Sequence, residues 1–184
     1  MSSSAADAEI SRRVEADLAA GFRTFPWPLK ASFALGSRLL AQEGHSRALL
    51  GQFTARDGQG KYLTLPFGHG LDEADEATLV HFDDEVRPHN GAGMVNPGVR
   101  FHVWIYRNRP DVQAIVHTHP PAAVALSMTH ERLKVNSMDA AMLYDSVGYL
   151  DHWPGTPQGV AEGEVISRAL GRDDALLLCN HRLL

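Results

Sequence analysis

The chain has 184 residues, the usual size of one domain, and its 22 acidic residues against 17 lysines and arginines give a net charge of −5. This balance leaves no general basic surface for a polyphosphate backbone, which excludes nucleic acid as an expected partner. Hydrophobic residues make up 44% and charged residues 21% of the chain, a composition typical of a folded globular protein and not of a disordered one.

Two helices are predicted in the first part of the chain. In residues 9–20 the apolar side chains Ile10, Val14 and Leu18 recur every four residues, which predicts an amphipathic surface helix. A turn-prone FRTFPWPLK segment separates it from a second helix over residues 31–42. We therefore divide the chain into an N-terminal helix and arm, residues 1–28, and one domain, residues 29–184.

Short strands and a helix start are predicted next. The DGQG sequence at residues 57–60 lies between two alternating segments, which predicts a β-hairpin, and residues 79–86 predict a further strand. Asn96 followed by Pro97 is typical of a helix N-terminus, so we predict a helix over residues 98–109 that ends before Pro110.

The last part of the chain completes the fold prediction. We predict a strand over residues 112–119, a helix from Pro121 to Met128, a helix over residues 158–170 and an apolar strand over residues 175–181. Helices and strands alternate, yet several strands are joined as hairpins, which favours an α/β fold with a mixed sheet and helices on its faces. The absence of a helix after the last strand raises the alternative that the fold lacks C-terminal elements.

Ten histidines are the unusual feature of the composition. His117 and His119 lie two residues apart on a predicted strand, so their side chains project from the same face. His181 ends the other apolar strand; if the two strand ends are neighbours, three neutral imidazoles meet, as in a catalytic divalent-metal site with one open position. The alternative is an ordinary polar pair at a strand edge, which is common. His102 is interpreted as a partly buried structural histidine, and a solvated position is expected for His45, His81, His89, His130 and His152.

Three motifs carry a resemblance to a known family. They are the run YRNRPDV at residues 106–112, the strand end HTHP at residues 117–120, and Asn180–His181 after an apolar strand. With these motifs, the chain from Leu29 onward resembles the class II aldolase and adducin N-terminal family. The resemblance implies a three-layer α/β/α sandwich around a mixed, largely antiparallel central sheet, and a homotetramer with active sites between subunits. It also supports His117, His119 and His181 as metal ligands.

The resemblance implies a chemistry as well. Family enzymes include sugar-phosphate aldolases, an epimerase, a dehydratase and decarboxylases. In the aldolases a divalent ion, usually zinc, binds the carbonyl and hydroxyl oxygens of the substrate and stabilises an enediolate. We therefore expect a divalent metal in this protein, with zinc as the first choice and iron, manganese and cobalt as alternatives.

The sequence departs from the sugar-phosphate aldolases around the expected site. Those enzymes have Ser–Ser–Glu before the helix, whereas this chain has Asn96, Pro97 and Gly98, so the carboxylate is missing. The phosphate-binding Gly–Asn of the family is Gly51–Gln52 here. We expect substrate-binding roles for Gly51, Gln52 and Asn96, and an unphosphorylated substrate. The glycine that follows the last histidine in the family is Arg182, a bulky cation.

The acid or base that moves a proton is not identified by these motifs. Candidates lie in loop-like segments between the matched motifs, and a plain surface turn is the alternative for each of them. They are His69, Asp139, Tyr144 and Asp145.

The leading hypothesis is a metal-dependent carbon–carbon lyase of the aldolase or decarboxylase type, acting on a small unphosphorylated keto or hydroxy acid. One alternative is a non-haem Fe(II) oxygenase on the same fold, because three histidines with open positions also suit iron. A second alternative is an adducin-like assembly module without turnover. The missing carboxylate and Arg182 favour the module, whereas the retained pair of His117 and His119 argues against it.

The expected partners are a small-molecule substrate and further copies of the chain. The longest uncharged stretch, residues 112–130, contains Pro120 and Pro121, so we expect no membrane-spanning helix. The N-terminal residues lack a signal-peptide pattern, and the single cysteine, Cys179, fits a reducing compartment. We therefore expect a cytoplasmic protein.

Overall fold

A computed structural model describes residues 5–21, 27–89, 93–152, 160–181 and 183–184. The helices in these ranges are α1 (Ala5–Gly21), α2 (Leu29–Gln42), α3 (Arg100–Asn108), α4 (Pro121–Ser127) and α5 (Val160–Leu170). The strands are β1 (Gln52–Arg56), β2 (Tyr62–Thr64), β3 (Val80–Phe82), β4 (Ala114–His117), β5 (Val147–Leu150) and β6 (Ala175–Leu178). Single 3₁₀ turns lie at Leu71–Glu73, Pro97–Val99 and Ala141–Leu143. Among these helices, none has the length and apolar content that a bilayer crossing requires.

The strands form two sheets that a short chain segment joins. The first sheet has the order β3-β2-β1-β4 with every pair antiparallel, and the second is the parallel pair β5-β6. Leu183 forms antiparallel bridges to Thr118, just after β4, and to Leu177 in β6. The ends of β4 and β6 are therefore neighbours, as a three-histidine site requires.

The two faces of the first sheet pack against different helices. Phe53, Ala55 and Leu63 alternate onto one face and pack with Phe33 of α2, whose ring stacks on Phe53 at a centroid distance of 4.1 Å. Ile115 belongs to the other core cluster, which includes residues of α3 and α5. The period-2 alternation of the strands thus builds helices onto both faces. The expected α/β class with an antiparallel sheet is confirmed.

The structure corrects some of the predicted boundaries. The predicted strand over residues 112–119 is shorter, and His119 lies beyond its end at His117, because the chain pairs with Leu183 only at Thr118 and then reaches Pro120. The predicted helix over residues 98–109 begins with a 3₁₀ turn, and Asn96 is its N-cap, since its Oδ1 accepts the N–H of Gly98 at 2.9 Å. Residues 158–159 of another predicted helix lie outside the described residues.

Strand β5 was not predicted. Its sequence, VGYL, has no clear alternation, and it becomes a strand through parallel pairing with β6. Helix α1 is longer than predicted, and its apolar stripe is solvent-exposed, with 61% of Ile10, 49% of Val14 and 55% of Leu18 accessible.

Candidate metal centre

Three imidazoles converge where β4 and β6 end. The ring centroid of His117 lies 5.7 Å from the ring centroid of His119 and 5.7 Å from that of His181. The ring centroids of His119 and His181 are 6.0 Å apart. One ligand nitrogen of each ring lies within 4.8 Å of the others. His117 is buried, and His119 and His181 are half-buried, so the cluster opens toward solvent on one side. The structure therefore brings together the three predicted ligands.

Local backbone features place each of the three rings. His117 is the last residue of β4, opposite Gln52 of β1. Strand β6 ends at Leu178 and not at residue 181 as predicted, so His181 lies in the turn after the strand. There its N–H donates to the carbonyl of Leu178 at 3.1 Å, which closes the turn. Asn180 adopts a positive φ of 53°, which asparagine tolerates better than most residues. This tight turn returns the chain to Leu183 and keeps His181 beside the end of β4.

A backbone carbonyl sets the tautomer of His117. Its Nδ1 lies 3.1 Å from the carbonyl oxygen of Leu183. Because a carbonyl oxygen only accepts hydrogen bonds, Nδ1 carries the proton and Nε2 keeps its lone pair. The ring edge also contacts Phe101 of α3, at a centroid distance of 5.1 Å. A hydrogen bond such as the one to Leu183, from the ring nitrogen that does not bind the ion, commonly orients metal-binding imidazoles.

The donor set fits a borderline divalent cation. Neutral imidazole nitrogens suit zinc, iron, cobalt and nickel, whereas calcium and magnesium prefer oxygen ligands. In the described part of the chain no carboxylate or thiolate joins the three rings. The three histidines could therefore hold such an ion and leave coordination positions open to a substrate.

The residues expected to bind substrate lie next to His117. Gln52 is the cross-strand partner of His117, so their side chains share one face of the sheet. A Cβ atom added at Gly98 would lie 3.4 Å from Cδ and 3.5 Å from Nε2 of Gln52, and 3.1 Å from Oδ1 of Asn96. The Gln52 carboxamide thus packs directly on Gly98. Gly51 adopts a positive φ of 99°, and a Cβ there would lie 3.2 Å from the carbonyl oxygen of His117.

The acid–base candidates from the sequence differ from the clustered histidines in their exposure to solvent. All are exposed, and the histidine and the two carboxylates among them are not part of the metal-binding group: His69, Asp139, Tyr144 and Asp145. Their catalytic roles stay predictions. Arg182 lies outside the described residues.

His102 is more deeply buried than predicted. Its side chain is fully buried, and its Nδ1 lies 2.8 Å from Oγ1 of Thr54, which in turn is 2.9 Å from the hydroxyl of Tyr106. Burial lowers the pKa of His102 to about 3. The histidine is therefore neutral and ties α3 to β1, which agrees with the structural interpretation.

Several histidines that were expected to be solvated have specific partners. Nδ1 of His81 lies 3.2 Å from the carboxylate of Asp57, and Nδ1 of His130 lies 3.2 Å from Sγ of Cys179. Nδ1 of His45 lies 3.1 Å from Oγ1 of Thr118, which follows β4, and the sequence analysis missed this contact. The available signal was Gly44, since a glycine after a helix fixes the position of the next residue.

Comparisons with known proteins identify relatives of this chain. The chain is 29% identical over 160 residues to a 4-hydroxy-3-prenylphenylpyruvate oxygenase/4-hydroxy-3-prenylbenzoate synthase of Streptomyces roseochromogenus subsp. oscitans, covering 84% of the chain and 58% of that protein. It is also 29% identical to decarboxylase NovR of Streptomyces niveus, covering 84% of the chain and 59% of the relative. The chain thus spans less than two thirds of the length of these relatives.

A solved structure shares the fold. The L-fuculose 1-phosphate aldolase of Glaciozyma antarctica PI12 superposes with a TM-score of 0.77 at 27% identity, covering 88% of this chain and 67% of that one. Residues 31–184 match the family described as Class II Aldolase and Adducin N-terminal domain. Because this match covers most of the chain and includes all three clustered histidines, the protein belongs to the class II aldolase and adducin N-terminal domain family.

Proposed function

We propose that the protein is a divalent-metal-dependent lyase of the aldolase or decarboxylase type, which cleaves a carbon–carbon bond next to a carbonyl. The convergence of three imidazoles, with ligand nitrogens within 4.8 Å of one another, carries this proposal. A bound divalent ion supplies Lewis acidity toward a substrate oxygen. The relatives named as a decarboxylase and as an aldolase support the reaction class.

His117, His119 and His181 would hold the ion. The carbonyl of Leu183 keeps the proton on Nδ1 of His117, so that Nε2 is available as a ligand. We propose zinc as the ion, because three protein ligands with an open position are typical of catalytic zinc sites.

The substrate is proposed to be a small, unphosphorylated keto or hydroxy acid. Three neutral imidazoles do not compensate the charge of a divalent ion, so the loaded site favours a substrate that brings a carboxylate. The neighbouring Gln52 carboxamide adds N–H donors for its oxygens. Gly98 supplies no base, and decarboxylation needs no proton removed before the carbon–carbon bond breaks. Within the proposed class, these features favour decarboxylation over aldol cleavage.

The proposal is tested first by metal content. Purified wild-type protein should carry about one ion per chain, as expected for a three-ligand site. The His117→Ala/His119→Ala variant should lose it, whereas His69→Ala, which changes an exposed histidine outside the cluster, should keep it. Equal metal content in the wild type and the double variant would contradict the proposal. Release of CO₂ or of an aldehyde from a panel of keto and hydroxy acids, abolished by a chelator, then tests the reaction class.

A second candidate function has a specific observation in its favour. The described cluster contains three histidines and no carboxylate, and a relative whose name includes oxygenase is 29% identical. Such a histidine set also suits Fe(II). Oxygen consumption by the iron-loaded protein, and none by the zinc-loaded protein, would favour this oxygenase function over the lyase.

We infer a three-layer α/β/α sandwich, which the two core clusters on opposite faces of the sheet support. A homotetramer is supported by large exposed apolar side chains along one stretch, namely Met128, Met138, Met142 and Tyr144. Mass in solution tests it. A cytoplasmic location is supported by Cys179, the single cysteine of the chain, which forms no disulfide.

A further inference from the structure

We propose that His45 is a positioning residue for the metal centre, which clamps the segment His117–Thr118–His119 from the side of helix α2. The inference rests on the proposed metal site and adds a residue that contacts neither ion nor substrate. Two contacts carry it. The carbonyl oxygen of His45 accepts the N–H of His119 at 2.9 Å, and Nδ1 of His45 lies 3.1 Å from Oγ1 of Thr118.

The end of helix α2 fixes the backbone of His45. Gly44 adopts a positive φ of 78°, and its N–H donates to the carbonyl of Ala41 at 3.0 Å. The N–H of His45 donates to the carbonyl of Leu40 at 2.9 Å. These two bonds form the Schellman motif that commonly ends helices. The accepting carbonyl of His45 is therefore held by a helix and not by a free loop.

His45 contacts residues that lie beyond the end of β4 and are not held by the hydrogen bonds of that strand. Strand β4 ends at His117, so His119 has no ladder partner on β1. Thr118 pairs with Leu183 on one side. The N–H of Thr118 donates to the carbonyl of Leu183 at 3.1 Å, and the N–H of Leu183 donates to the carbonyl of Thr118 at 3.3 Å. The hydroxyl of Thr118 is buried and directed to His45, while the flanking imidazoles converge with His181. His45 and Leu183 together fix the turn that aims two of the three ligands.

The ring of His45 can be replaced without collision. It borders a groove of about 550 Å³, which Thr118 and Leu183 also line. A smaller side chain therefore leaves space and does not displace the backbone. This allows His45→Leu, which removes the hydrogen bond, to be compared with His45→Asn, which returns a polar atom near the position of Nδ1. Thr118→Val and Thr118→Ser form the matching pair on the other partner.

The experiment measures cobalt(II) affinity by competition with a chelator, together with the visible spectrum of the bound ion, in folded protein. Replacing groups that are hydrogen-bonded directly to metal ligands typically weakens affinity about 10–100-fold. The ring of His45 acts one step further out, through Thr118, and the carbonyl of His45 is retained, so we expect a smaller loss of about three- to tenfold for His45→Leu and Thr118→Val. His45→Asn and Thr118→Ser should recover most of the loss. The double variant His45→Leu/Thr118→Val should be no weaker than the worse single variant, because both remove the same bond.

A control separates positioning from general destabilisation. His81→Leu removes a histidine that is hydrogen-bonded to Asp57 in the β1–β2 hairpin region, away from the cluster. It should leave the cobalt spectrum and affinity unchanged. Affinities of the His45 and Thr118 variants within twofold of wild type would overturn the clamp alone. Failure of the wild-type protein to bind cobalt would instead overturn the proposed metal site, and the clamp with it.

Discussion

Nδ1 of His117 lies 3.1 Å from the main-chain oxygen of Leu183, so a backbone group of the segment after β6 sets the tautomer of a proposed metal ligand. The same residue pairs with Thr118, whose N–H and carbonyl both face it. The position of Leu183 therefore matters through its backbone more than through its side chain. This distinction can be tested by substitution.

Leu183→Ala is expected to leave metal affinity within about twofold of wild type, because the carbonyl that accepts from His117 is retained. Leu183→Pro is expected to weaken it about tenfold or more, because proline lacks the N–H that donates to Thr118. Competition with a chelator measures both affinities. An equal loss in the two variants would show that the side chain, and not the bridge, is responsible.

The burial of His102 predicts how stability depends on pH. Its folded pKa is about 3, below the ordinary value of about 6.5 that it regains on unfolding. Between these two values the unfolded chain binds the extra proton, so the free energy of unfolding falls as the pH is lowered from 6.5 toward 3. At pH 5 the expected loss from this group is about 2 kcal/mol relative to pH 7.

The measurement is urea unfolding at several pH values, with a chelator present so that metal binding does not contribute. His102→Asn keeps an acceptor for Thr54 but has no group that titrates in this range. The variant should show a flatter pH profile than the wild type between pH 7 and 5. Parallel profiles would contradict the assigned cause.

The packing of α3 on α5 predicts the effect of a glycine substitution. A Cβ at Gly163 would lie 2.6 Å from Cγ of Trp104, well inside contact distance. Gly163→Ala should therefore destabilise the protein by about 1–2 kcal/mol, although alanine favours a helix. Gly36→Ala is the matched helical control, since its Cβ would meet Phe53 at an ordinary 3.4 Å. That variant should be neutral or more stable, as measured by thermal or urea unfolding.

Much of this fold follows from local sequence patterns. The hairpin over residues 57–60, the cap at Asn96 and the helix opened by Pro121 each rest on residues with strong local preferences, and the structure confirms them. Strand β5 could not be found in this way, because its conformation depends on pairing with β6, some 25 residues later. Pairing between distant segments is not encoded in the pattern of either segment alone.

The residues of the site also fall into some that the local sequence predicts and others that depend on contacts between distant segments. The predicted strand alternation indicated that His117 and His119 lie on one side, although β4 ends at His117 and His119 lies in the turn after it. The apolar strand predicted to end at His181 offered the third ligand, and the resemblance supported all three. The contributions of Leu183 and His45 could not be predicted. Leu183 acts through its backbone carbonyl, which every residue possesses, and His45 acts through its carbonyl and through a contact of its ring with Thr118, which lies 73 residues away in the sequence. Only tertiary structure determines which carbonyl meets which imidazole.

The last prediction concerns the charge of the site. Gln52 packs on Gly98 beside His117, so Gln52→Glu would place a carboxylate within the neutral donor set. We expect tighter binding of the divalent ion, because an opposite charge is added nearby, and weaker binding of anionic ligands to the loaded site. Gln52→Leu, which has similar size and no charge, should lose the N–H donors that we propose for the substrate carboxylate, without repelling the anion.

Calorimetry with the zinc-loaded protein can separate these effects by using two probes of similar size, pyruvate and hydroxyacetone. For Gln52→Glu the affinity for pyruvate should fall about tenfold, the equivalent of 1.4 kcal/mol, and by less for Gln52→Leu. Hydroxyacetone has no carboxylate, so its affinity should change by less than about twofold in Gln52→Glu. If the two probes lose affinity equally, Gln52 shapes the site but does not select for charge, and the substrate acid must be recognised elsewhere.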